Sequence, residues 1–153
     1  MRKNNRGLTF DDFELGAQFV SQSRTVTESD VVTFAGLSGD FNPLHTDANF
    51  AQAAPFGERI AHGMLSAAMA TGMANWTGVL EGTALALMEQ VIRYKGLVKF
   101  GDTIHLELEV IEKKETSKPD RGVVKFATWV RNQRGEVVID GEWTLLMRRA
   151  AAP

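Results

Sequence analysis

Within residues 34–51, FAGLSGDFNPLHTDANFA, a carboxylate and an imidazole stand five positions apart, Asp40 and His45, with a proline between them. Pro43 lacks an N–H and pushes Asn42 into an extended conformation, so Asp40 to His45 predicts a stiff turn and no regular helix. Across such a turn an acid and a base can share one water and pass its protons, each step contributing about 10²–10⁴ in rate. Asn42 would hold the turn or orient His45 through its amide. Taken singly, these residues have blander readings. A His in a Pro turn is more often structural, and an Asp after Gly is commonly a cap or turn former. A second feature is His62-Gly63, which opens a long apolar segment. The first N–H groups of a helix are free, and its dipole favours negative charge there. A glycine at that point also suits close helix packing. His62 reads as a helix-start residue with its polar atoms satisfied.

These groups need elements to hold them. Residues 18–26 predict a first strand. Thr27 caps a helix, Glu28 and Asp30 suit its positive end, and Val31, Val32, Phe34 and Ala35 give it an apolar face that Gly36 and Gly39 end. Residues 47–54 predict another short helix, stopped by Pro55 and Gly57. Residues 60–76, IAHGMLSAAMATGMANW, carry no charge, and seven of the seventeen are Ala or Gly. A helix apolar on every side must be buried, and its small residues let a sheet pack close around it. Strands follow at 84–95, 103–111, 123–131 and 136–147, with a turn at Arg134-Gly135. In 103–111, Ile104, Leu106, Leu108 and Val110 alternate with His105, Glu107 and Glu109. In 136–147, Val137, Ile139, Trp143, Leu145 and Met147 share one face. The order implies an α+β domain, an antiparallel sheet wrapped around one long buried helix.

Composition narrows the function classes. The 153 residues fit one domain over 1–153, with 1–6 and 148–153 read as frayed ends or tail. Lys plus Arg is 17 and Asp plus Glu is 19, so the net charge of −2 implies no attraction to nucleic acid or to an anionic membrane. The chain has no cysteine, which excludes a disulfide framework, a thiolate nucleophile and a Cys-ligated metal. The start MRKNNRG is basic, yet no apolar stretch follows as in a secretion signal, and no apolar run reaches the 18 or so residues of a membrane helix. A soluble cytoplasmic protein is the expectation. No pair of His residues has metal-ligand spacing and no third ligand clusters with them, so no metal is expected.

The run of an aromatic, Gly-Asp-x-Asn-Pro-aliphatic-His and a small residue resembles the signature of (R)-specific enoyl-CoA hydratases, the MaoC-like family. PFGERIAHGMLS (55–66) looks like that family's next landmark, and DFELGAQF (12–19) and the strand set extend the resemblance over nearly the whole chain. The resemblance implies a hot-dog fold and (R)-specific hydration of 2-enoyl-CoA thioesters, or dehydration of 3-hydroxyacyl-CoA. Asp40 and His45 would hold the reacting water, and the Gly63 N–H would meet the thioester carbonyl. Thr71 matches by position a serine found in some members, but adds a methyl. No separate cofactor is implied, because coenzyme A is part of the substrate.

Rival readings within reach are a thioesterase or an acyl-carrier-protein dehydratase, and a non-catalytic acyl-CoA-binding subunit. The enzymes often place a carboxylate on the central helix, where 60–76 has none; a binding subunit has no need of Asp40, Asn42 and His45 together. Arg93, Lys95, Lys99 and the pair Lys113-Lys114 could meet coenzyme A phosphates, though solvated strand edges explain them as well. His105 reads as solvated. Open sheet edges, and a second apolar face made by Val123, Ala127 and Trp129, predict a homodimer or a trimer of dimers.

Overall fold

The chain enters its sheet early and leaves it for a run of helices before returning for four long strands. In the computed structural model, which describes residues 6–150, β1 (Gln18–Val20) and β2 (Arg24–Thr25) come first. The single strand expected over 18–26 is broken at Ser21. Its N–H donates to the Leu106 carbonyl as a strand would, but its side-chain hydroxyl accepts the Leu106 N–H, replacing a backbone acceptor.

Helix α1 (Glu28–Ser38) starts in a reciprocal cap: the Thr27 hydroxyl accepts from the Asp30 N–H at 3.2 Å, and the Asp30 carboxylate accepts from the Thr27 N–H at 2.9 Å. Gly36 lies inside the helix and does not end it. Gly39 alone does, with the left-handed φ of 78° that a residue without Cβ adopts freely. Residues 43–46 depart from expectation too. Pro43 opens a single helical turn, α2 (Pro43–Thr46), as proline can at a first helical position, while Asn42 before it is extended. Helix α3 (Ala48–Ala53) follows directly, capped by Asp47.

Helix α4 (Gly63–Trp76) is the central helix. Leu65, Ala67, Met69, Ala70, Met73 and Ala74 are buried in the core, whereas Met64, Ala68, Thr71, Gly72, Asn75 and Trp76 form an exposed stripe. The expectation of burial on every side therefore fails for one chain, because its sheet curls around only one flank of the helix.

The sheet comprises β3 (Ala84–Tyr94), β4 (Thr103–Glu115), β5 (Arg121–Arg131) and β6 (Val137–Arg148), in the antiparallel order β1-β4-β5-β6-β3, with β2 added beside β4. Ile104, Leu106, Leu108 and Val110 of β4 and Val124, Phe126 and Val130 of β5 share one core with the buried residues of α4. On β6 the register slips opposite Val130 and Arg131, so Val138 joins the core and Val137 is only half-buried, contrary to the simple alternation. Nor is 148–149 a tail. Arg148 ends β6, and Arg149 pairs with Asp11 at 2.6 Å and with Glu115. Arg6 pairs with Glu81; residues 1–5 and 151–153 of the expected ends lie outside the described residues. Among the described residues no helix is long and apolar enough to cross a membrane.

Candidate active site

Three segments meet at the N-terminal end of α4. The α1–α2 turn brings Asp40 and His45. A short stretch before α4 brings Ile60, Ala61 and His62, tied down where the Ile60 N–H reaches Leu44 O and the Ala61 N–H reaches Val98 O. The end of β3 and the loop after it bring Tyr94, Leu97 and Val98. Together they line a cleft of about 370 Å³, into which Gly63, Ser66 and Ile139 also face.

Asn42 builds the turn. Its side-chain oxygen accepts the Leu44 N–H at 3.0 Å, and its carbonyl accepts from the His45 N–H and the Thr46 hydroxyl. Of its two expected roles, the first is the one observed; it does not line the cleft. The Asp40 carboxylate is exposed to the cleft and accepts from the Asn42 N–H at 3.2 Å.

The tautomer of His45 follows from its partner. Its Nδ1 lies 2.7 Å from the Ile60 carbonyl oxygen, which can only accept, so Nδ1 carries the hydrogen and Nε2 has the lone pair of a base. The same logic applies to His62. Its Nε2 donates to the backbone carbonyl of Asp40 at 2.9 Å, leaving Nδ1 as an acceptor, buried and without a partner among the described residues. The expectation that His62 is satisfied is therefore corrected: the ring is 2 % exposed and spends one nitrogen on Asp40, and a lone pair so orphaned costs about 1–3 kcal/mol. The Ser66 hydroxyl is likewise buried and unpartnered, whereas Thr71 and Thr77 bond carbonyls of their own helix.

Gly63 is the first residue of α4, and the residue before it offers no side-chain cap, so the first N–H groups stand free at the cleft. The glycine also makes room for a neighbouring ring. A Cβ there would lie 2.7 Å from the ring of Tyr94, whose hydroxyl reaches Met64 Sδ at 3.1 Å. Of the two expected explanations of Gly63, close packing is the one observed. Partial desolvation pushes the half-exposed Tyr94 phenol above its ordinary pKa, so it stays a neutral O–H donor.

A carboxylate oxygen of Asp40 and one ring nitrogen each from His45 and His62 lie within 4.8 Å of one another. The expectation that no third ligand clusters with two histidines is overturned, because folding brings His62 back to a turn far from it in sequence. The donor set still suits a metal poorly. The two imidazoles are stacked, centroids 3.8 Å apart at 29°, and each already spends a nitrogen on a carbonyl. Lone pairs lie in the ring planes, so those of stacked rings do not converge on a point about 2.0–2.1 Å from both.

Thr71 is not brought into the cleft; it sits on the exposed stripe of α4 with its hydroxyl on Ala68 O. Arg93 and Lys95 flank Tyr94 and share Asp140, and Lys99 pairs with Glu58, whereas Lys113 serves the Phe13 carbonyl and the Phe10 ring. His105 pairs with Glu107 at 3.3 Å. Tyr94, Ser66 and the stacking of His62 were not found from sequence. None carries a local pattern, since each reaches the cleft only when distant segments are folded together.

The family model described as MaoC like domain matches residues 12–130. A protein of Rhodospirillum rubrum named (R)-specific enoyl-CoA hydratase is 36% identical over 138 residues, 90% of each chain. The unliganded structure of an R-hydratase from Pseudomonas aeruginosa superposes with a TM-score of 0.80 at 36% identity, covering 94% of this chain and 88% of that one. A Mycobacterium tuberculosis protein with a double hot-dog fold superposes with a TM-score of 0.83 over 96% of this chain and 46% of its own, at 19% identity, a likeness of fold alone. The architecture is a hot-dog: one antiparallel sheet around one long helix.

Proposed function

This chain belongs to the MaoC-like domain family, and from that premise we propose that it is a hydro-lyase that adds water to 2-enoyl-CoA thioesters and removes it from (R)-3-hydroxyacyl-CoA. The observation that carries the reading is the meeting of a carboxylate, an imidazole with a free Nε2 and an uncapped helix start at one cleft.

In the hydration direction Asp40 and the Nε2 of His45 hold one water. One of them takes a proton as the oxygen adds to C3 of the alkene, and the dyad returns a proton to C2, so the elements of water are added across the double bond. Charge that develops on the thioester oxygen meets the free N–H of Gly63 and the positive end of α4, a type of contact worth on the order of 10²–10³ in rate. Dehydration is the same path reversed. Since one water and one dyad lie on one side of the alkene, both new bonds form on the same face. Coenzyme A enters as part of the substrate, with Arg93, Lys95 and Lys99, next in sequence to the cleft residues Tyr94 and Val98, offered for its phosphates, and no separate cofactor is called for.

The test is loss of enoyl-thioester absorbance across a panel of enoyl-CoA esters of varied length and branching, with chiral chromatography of the product. The (R)-3-hydroxyacyl ester is expected. A predominantly (S) product would overturn the facial assignment, and absence of turnover across the panel would overturn the hydratase reading.

A further inference from the structure

We infer that His62 is a positioning residue for the acid–base pair, holding Asp40 through its backbone and His45 through its ring. The inference rests on the dyad reading above and adds a residue to it. Four observations converge on this side chain. Its Nε2–H donates to the Asp40 carbonyl at 2.9 Å, which fixes the main chain from which the carboxylate projects. Its ring face lies on the ring of His45, centroids 3.8 Å apart, which limits the rotation of that imidazole about its bond to Cβ. Phe34 packs edge-on against His62 at 5.0 Å, so the supporting ring is itself wedged between α1 and the dyad. And His62 is the residue before Gly63, so the part of the chain that carries the free helix-start N–H is anchored by the same side chain.

A residue needed only to fill this space would be better as an apolar ring. His62 is 2 % exposed and its Nδ1 has no partner among the described residues, a penalty that an apolar ring avoids. What the imidazole adds is a donor and a flat face in one side chain. His62 touches neither water nor substrate in this scheme. It sets the distance between the two groups that do, and a misplacement of about 1 Å at such groups can cost 10²-fold in rate.

Two variants separate its two contacts. His62→Phe keeps a ring to stack and loses the donor; His62→Gln keeps an N–H at the place of Nε2 and loses the ring. Each is expected to lower kcat on crotonyl-CoA by about tenfold to hundredfold with KM changed less than about twofold. A folded His62→Phe with undiminished kcat, or a loss confined to KM, would overturn the inference; should His62→Phe fail to fold, His62→Gln is judged by the same criterion. Nitrogen-15 NMR of the unsubstituted protein gives a readout independent of turnover: His62 protonated on Nε2 and His45 on Nδ1 are expected, and a His62 protonated on Nδ1 alone would also overturn it. The parent reading is judged separately, by turnover of the unsubstituted enzyme and its loss in Asp40→Asn. If the unsubstituted protein is inactive, that reading fails, and the tautomer still decides whether His62 holds Asp40.

Discussion

Asp40 and His45 serve one water in the proposed reaction, so losing either should cost nearly as much as losing both. Asp40→Asn and His45→Ala are each expected to lower kcat by at least ~10³ with the fold intact, and the double variant to be little worse than either. Stopped assays with circular dichroism on the same samples check this; near-normal turnover in one single variant would remove the dyad. This pair could be read from the chain because both residues sit in one six-residue turn whose proline makes the geometry local. His62 could not be read in the same way. Its bond to Asp40 joins residues 22 positions apart, and nothing in AHG announces that the ring turns back toward the turn. Thr71 shows the opposite hazard: a position suggested by resemblance lies outside the cleft of this chain.

At the scale of elements, the strand alternation was legible wherever burial is two-faced, as Ile104 to Val110 illustrate. It was not legible where one side chain edits the ladder, as the Ser21 hydroxyl does between β1 and β2, or where a bulge moves Val138 into the core. A comparable side-chain clamp holds the start of β4 to the β5–β6 turn. The buried Asp102 carboxylate accepts from Gln133 Nε2 at 2.7 Å, from the Lys99 N–H at 2.9 Å and from Arg134 at 3.4 Å. Burial pushes this carboxyl up, but the Gln133 and Lys99 donors and the Arg134 cation outweigh it and hold it below its ordinary pKa. A depressed folded-state pKa gives stability that is fully present above the unfolded value, about 3.9, and lost as pH falls through the folded one. Asp102→Ala should therefore lower stability at neutral pH by about 1–3 kcal/mol, since it leaves those donors without an acceptor. The gap from the unsubstituted protein should narrow below pH ~4. Urea unfolding at pH 7 and pH 3 measures both, and a gap that widens in acid would contradict the assignment.

For the whole molecule, the unmet demand is apolar surface. Leu85, Leu87, Met88 and Tyr94 of β3 are all exposed, as are Met64 and Trp76 on the α4 stripe. Strand β3 ends the sheet order, and among the described residues only β6 pairs with it. We propose a homodimer in which β3 pairs with its copy and the α4 stripes face each other, a self-complementary contact that closes without fibres. The face expected from sequence, Val123, Ala127 and Trp129 on β5, is a weaker candidate. Those residues are half-buried, and ion pairs such as Lys125–Glu142 and Arg131–Glu107 cross the same outer surface. That helix α4 is apolar on every side was legible; that one flank of it stays exposed in a single chain was not, because hydropathy cannot say which side the sheet covers. Sedimentation at micromolar concentration should give twice the mass of one chain or a multiple of that, and a stable monomer would refute the seam.

Strand β3 does more than end a sheet. Near one end it lays Tyr94 against Gly63, at the mouth of the cleft, and along its length it offers the side chains of the proposed seam. Rigidity in such a strand is shared, so a chain parted from its twin would hold the roof over its helix start less firmly. Turnover per chain should then decline on dilution, at concentrations where the two halves separate.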